Sequence, residues 1–131
     1  MVETTRKELH EIGLKIRRAV LGDKYVDKAM NNITDFNRPL QDLLNEYCWG
    51  ATWGRADAVL SHKERSMITL AMLTALGRTH EVATHVRGGL NNGLTEKQIA
   101  EVFLQAAIYC GVPAAVDSFR AAAAVLAEDD G

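Results

Sequence analysis

Residues 61–93, SHKERSMITLAMLTALGRTHEVATHVRGGLNNG, hold two helices and the turn that joins them. Ser61 and Glu64 match a capping box, in which each side chain satisfies a backbone N–H of the other residue at a helix start. Met67, Ile68, Leu70, Ala71, Leu73 and Thr74 then recur at helical spacing until Gly77 stops the run. This helix is apolar on most sides, so it is expected at the centre of the fold. Thr79 can cap a second helix that carries Glu81, Val82, His85, Val86 and Leu90 to a stop at Asn91, Asn92 and Gly93.

The same pattern extends in both directions. Thr95 and Gln98 form another capping box, opening a helix through Ile99, Val102, Phe103, Ala106, Ala107 and Cys110 to Gly111. Pro113 fits the first turn of a last helix, where its missing N–H costs nothing, and Ala114 to Ala127 continue it. Towards the N-terminus, Thr5 and Glu8 open a helix of about 5–21 with Leu9, Ile12, Ile16 and Val20 on one face. A short helix over Lys24 to Met30 follows, and then one carrying Leu40, Leu43, Leu44 and Tyr47 that ends at Gly50. Prolines number only two, and no stretch alternates in the manner of a strand. The expected fold is an all-α, single-domain bundle of about six helices.

At 131 residues the chain suits one domain with one core. Its 47% apolar and 24% charged residues are those of a globular protein, and no apolar run approaches the roughly 20 residues of a membrane helix. The opening MVETTRKELHEIG mixes acids and bases, so no secretory leader is expected and the cytoplasm is the expected compartment. A net charge of −2 with 6% aromatic residues makes nucleic acid an improbable partner. Cys48 and Cys110 belong to no CxxC or Cys/His metal spacing and read as reduced, packed thiols. His10, His62 and His80 lack ligand-like spacing, so no metal site is expected. Phosphate-binding glycine patterns and a GxSxG elbow are also missing, and Met67, Met72 and Phe103 read as core.

Chemistry concentrates in two places. On the second helix of the opening stretch, Arg78, Glu81, Val82, His85 and the Gly88–Gly89 pair share a stripe at spacings of three, four and seven. An imidazole can move protons near neutral pH, and a carboxylate one turn away can fix its tautomer. An ordinary surface Glu–His pair would have the same spacing, but two glycines within a helix cost about 0.5–1 kcal/mol each relative to alanine and point to a close approach there. The second place is EYCWGATWGR (46–55), which joins Glu46, Trp49 and Arg55 around a helix end. Tryptophans anchoring a loop would explain part of it. Glu46 lies on the edge of the apolar face, where partial desolvation would raise its pKa and suit it to proton transfer.

EYCWGATWGR, the run from Lys63 to Gly93 and LQAAIYCGVPAAVDSFR (104–120) together resemble the carboxymuconolactone decarboxylase family of protocatechuate catabolism, over about residues 35–126. The resemblance implies an alkyl-hydroperoxidase-D-like helical fold on one domain spanning 1–131, with 1–34 as an N-terminal helical extension and 35–127 as the core. It implies a cofactor-free decarboxylase acting on a small lactone dicarboxylate, 4-carboxymuconolactone, to give 3-oxoadipate enol-lactone and CO₂. It also implies a homo-oligomer, typically a ring of six. Redox relatives on that fold carry a CxxC with a histidine four residues on, whereas this chain has Arg78 and Glu81 at the thiol positions and Ser66 where those relatives place a glutamate. Disulfide peroxidase chemistry is therefore not expected.

Within that resemblance, His85 is expected as general acid or dienolate stabiliser and Glu46 as its partner in proton transfer. Glu81 or a neighbouring backbone group would hold His85. Arg78, Arg55 and Arg87 are the candidate clamps for the retained carboxylate, since guanidinium binds it in bidentate fashion. Trp49 or Val82 would offer the departing carboxylate a less polar wall. Two alternatives stand beside this expectation: another lactone-processing or isomerising enzyme on the same scaffold, and a non-catalytic helical oligomer.

Overall fold

Capping chemistry and glycine placement divide the chain into helices much as its residue pattern dictates. The computed structural model describes residues 4–128, and every regular element among them is helical. The α-helices are α1 (Arg6–Leu21), α2 (Asp23–Asn31), α3 (Arg38–Leu43), α4 (His62–Leu76), α5 (Thr79–Asn91), α6 (Glu96–Cys110) and α7 (Val112–Leu126), seven rather than about six. A π-helical segment, Leu44–Trp53, continues directly from α3. The helices fall into two compact units, Met1–Leu60 and Ser61–Gly131. Among the described residues no helix is long and apolar enough to cross a membrane.

In the N-terminal unit, the Thr5 hydroxyl caps α1 by accepting from the Glu8 N–H at 3.1 Å. The helix expected to end at Gly50 instead runs on to Trp53 with a wider winding, and the Gly54 N–H donates five residues back to the Trp49 carbonyl at 2.8 Å. The reason lies in α1. A Cβ at Gly13 would sit 1.7 Å from the Asn45 carbonyl oxygen, and one at Gly50 would sit 2.4 Å from that of Leu9. Gly50 thus serves the contact of two backbones rather than a helix end. Val20, Leu21, Val26, Trp49 and Trp53 form the core, with the two indole rings 5.0 Å apart. Leu40, Leu43 and Tyr47, expected on a buried face, are more than half exposed.

In the C-terminal unit both arms of the Ser61–Glu64 capping box form, as do both arms of Thr95–Gln98. Gly77 ends α4 in the left-handed region at φ 71°, where a Cβ would be strained. Arg78, not Thr79, occupies the N-cap position of α5, and Thr79 is its first residue. Pro113 lies in the first turn of α7. Leu70, Val82, Val86, Leu94, Ile99, Phe103, Ala122 and Val125 make the core. Deep within this unit the hydroxyls of Thr74 and Ser118 meet at 2.7 Å, so neither is left unsatisfied. The central role expected of α4 holds for one side only. It packs on α5, α6 and α7, but Ile68, Met72 and Leu76 face outward, with Met72 61% exposed rather than in the core.

Candidate active site

His85 sits on α5 at the boundary between solvent and core. Glu81, one turn earlier, is exposed, while Val82, Val86, Gly88 and Gly89 are buried. The His85 ring is half-buried with its Nδ1 enclosed. Burial pushes its pKa below the ordinary histidine range, and the negative charge of Glu81 offsets part of that shift. The ring is therefore neutral at pH 7, with one nitrogen carrying a proton and the other able to accept one.

Of the two glycines, Gly89 has the role that its cost implies. A Cβ on Gly89 would lie 3.0 Å from Leu94 Cδ1 and 3.7 Å from Ser66 Cβ, so its absence lets α4 and Leu94 close against the helix that carries His85. Ser66, fully buried, accepts from Asn92 Nδ2 at 2.9 Å, and the same amide reaches the His62 carbonyl at 3.4 Å. Beside Ser66 on α4, Arg65 holds its Nε buried with no hydrogen-bond partner among the described residues. This cation escaped the sequence reading, because its only signal, a lone arginine early in a capped helix, resembles any surface arginine.

Glu46 lies in the π-helical segment of the N-terminal unit, whereas His85 belongs to the C-terminal unit. Its carboxylate is buried, as expected, but its pKa is lowered instead of raised. Arg6 Nε donates to Glu46 Oε1 at 2.8 Å, and that charged hydrogen bond outweighs desolvation. Glu46 is thus held as an anion, fit to accept a proton or to stabilise positive charge. His10 and Asp42 stand close by, and a cavity of about 380 Å³ opens between Arg6, Lys7, His10, Glu11, Asp42 and Glu46.

The remaining expected residues are scattered. Trp49 is 3% exposed and belongs to the N-terminal core, its ring tilted against that of Trp53. Arg55 pairs with Asp57 at 3.1 Å on the surface. Arg87 reaches Glu128, its Nε 3.2 Å from the carboxylate, so its guanidinium is already engaged. Arg78 is exposed at the start of α5. Burial pushes the Cys48 thiol up and leaves it protonated, while Cys110 is exposed rather than packed. A separate apolar groove of about 330 Å³ between α4 and α6 is lined by residues that include Met67, Val102, Tyr109 and Cys110, and His85 is not among them.

The scaffold is all-helical, and its α5 carries a half-buried imidazole one turn after a carboxylate, with no thiol pair on that helix. Comparison with known sequences agrees. The model of the carboxymuconolactone decarboxylase family matches residues 38–124, and the chain belongs to that family. A nitrosuccinic acid decarboxylase of Metarhizium robertsii is 41% identical over 120 residues, covering 88% of this chain and 82% of its own. A 4-carboxymuconolactone decarboxylase of Acinetobacter baylyi is 37% identical over 108 residues, 82% of this chain and 79% of its own. One from Pseudomonas putida is 36% identical over 44 residues, 34% of this chain and 92% of its own. These relatives are all decarboxylases, and they support a carboxy-lyase activity here.

Proposed function

We propose that the protein decarboxylates a small dicarboxylic acid whose departing carboxylate is conjugated to an electron sink within the substrate. 4-Carboxymuconolactone is the first candidate. Loss of CO₂ leaves an electron pair that runs through the ring double bond onto the lactone carbonyl, giving a dienolate, and a proton then reaches ring carbon to form 3-oxoadipate enol-lactone. The substrate carries its own sink, so the residues need only bind it, stabilise charge and move one proton. The observation that carries the proposal is the half-buried, neutral His85 on α5 within the region that matches the family. It would donate a hydrogen bond to the developing dienolate oxygen or a proton to carbon. Once its proton has gone to carbon, His85 would recover one from solvent, since Glu46, held ionised by Arg6, has none to give. Arg78, at the entrance of α5, would hold the retained carboxylate, with Arg65 as a second cation in the same unit. The active form would be a homo-oligomer.

A second substrate has support from the 41% identical Metarhizium relative. In nitrosuccinic acid the departing carboxylate neighbours a carbon bearing a nitro group, which can hold the electron pair as a nitronate before protonation. The two acids share one departing carboxylate, one retained carboxylate and an internal sink. Purified protein supplied in turn with each acid, in the presence of a chelator, should release CO₂ from one far faster than from the other, and a faster release from carboxymuconolactone is expected. Release from neither acid would refute the decarboxylase proposal.

A further inference from the structure

We infer that His10, Asp42 and Glu46 form a binding site for one divalent transition-metal ion of the zinc type. One donor atom from each residue lies within 4.8 Å of the donors of the other two. Donors on a single zinc ion at bonds of about 2.1 Å stand roughly 3.4 Å apart at tetrahedral angles, so modest side-chain rotations would close the triad. Asp42 and Glu46 are one turn apart along α3 and the π-helical segment, and His10 projects from α1. The two backbones that carry them are locked together at Gly13 and Gly50, where no Cβ could fit, so the spacing between His10 and the acids is fixed by packing. Such a rigid frame is what a metal site needs from its scaffold.

The surroundings favour this ion. Glu46 is buried and His10 and Asp42 are half-buried, while the adjoining cavity of about 380 Å³ leaves room for a water ligand. An imidazole with two carboxylates and no thiolate suits a borderline divalent ion rather than a soft one such as copper(I). The present occupant of the Glu46 oxygen is Arg6, whose side chain is 78% exposed and therefore free to swing into solvent. Zinc and this guanidinium would compete for one carboxylate. The inference stands apart from the decarboxylase proposal, since it is read out by metal binding alone.

The test is calorimetric titration of the chelator-stripped full chain with zinc chloride, with circular dichroism to verify folding of each variant. One zinc ion per chain is expected. His10→Ala and Asp42→Asn should each weaken binding by at least about tenfold. Arg6→Gln should tighten it by removing the competitor. The inference is overturned by a lack of saturable binding, by unchanged affinity in a folded His10→Ala or Asp42→Asn protein, or by equal or weaker binding in Arg6→Gln. Should His10→Ala fail to fold, the Asp42→Asn protein decides alone.

Discussion

At the scale of single residues, burial lowers the pKa of His85 and a charged hydrogen bond lowers that of Glu46, so the first favours its neutral form and the second its ionised one. The unfolded chain offers His85 its ordinary pKa of about 6.5, whereas the native ring, desolvated on α5, titrates lower. As pH falls below about 6.5 the unfolded state takes the proton first, so stability declines until the pH lies beneath the native value. His85→Gln, neutral throughout, should lose less melting temperature than the parent between pH 7.5 and 5.5. Equal losses would mean the ring is not desolvated. Glu46 follows the same sign, its contribution full above the ordinary carboxylate range and lost as pH falls from there through its lowered native value. Turnover provides a separate measure: His85→Ala should reduce kcat by about 10²–10⁴-fold with the helical spectrum intact, the usual effect of a positioned acid. Unchanged turnover would remove His85 from the chemistry. The placement of His85 one turn after Glu81 was legible because both lie within one helix. Arg6 and Glu46 are forty positions apart, and no local spacing foretells their ion pair or the inversion of the carboxyl's pKa that follows.

Among elements, the features legible from sequence are those decided within one turn of chain. Ser61 with Glu64, Thr95 with Gln98, Gly77 and Pro113 mark helix ends through local hydrogen bonds or backbone limits, and each takes the expected place. Ser61→Ala should accordingly cost about 1 kcal/mol in urea denaturation. The π-helical winding of Leu44–Trp53 has no such local cause. It occurs where α1 presses its Gly13 against Asn45, a contact made by residues more than thirty positions away. That contact predicts a sharp asymmetry between two glycines. Gly13→Ala would force a methyl onto a carbonyl oxygen and should cost at least about 3 kcal/mol, at or beyond the upper end of ordinary overpacking. Gly77→Ala meets open space and should cost only the left-handed strain, about 1–2 kcal/mol. Comparable costs at the two sites would mean that α1 and the π-helical segment do not approach so closely.

For the whole molecule, the unresolved energetic question is the apolar surface that one chain leaves in water. On α6 and the start of α7, Leu104, Ile108, Tyr109 and Val112 are each more than half exposed, Ile108 at 80%. On α4, which packs against α6, Met72 and Leu76 are also outward. Between these two helices runs the groove lined by Met67, Val102 and Tyr109. Contiguous apolar patches of more than a few hundred Å² are uncommon on monomers, whereas symmetric association buries them in matched pairs. Self-association through the α4–α6 face is therefore expected, with a light-scattering mass that is a multiple of 14.4 kDa. Ile108→Glu and Met72→Glu together would place two charges on this face, where burial of an unpaired carboxylate is costly. The double variant should dissociate towards single chains while keeping its helical content, because neither side chain lies in the core of its own unit. A parent protein that elutes as a single chain at every concentration, or a double variant whose assembly is unaltered, would show that another surface or none joins the copies.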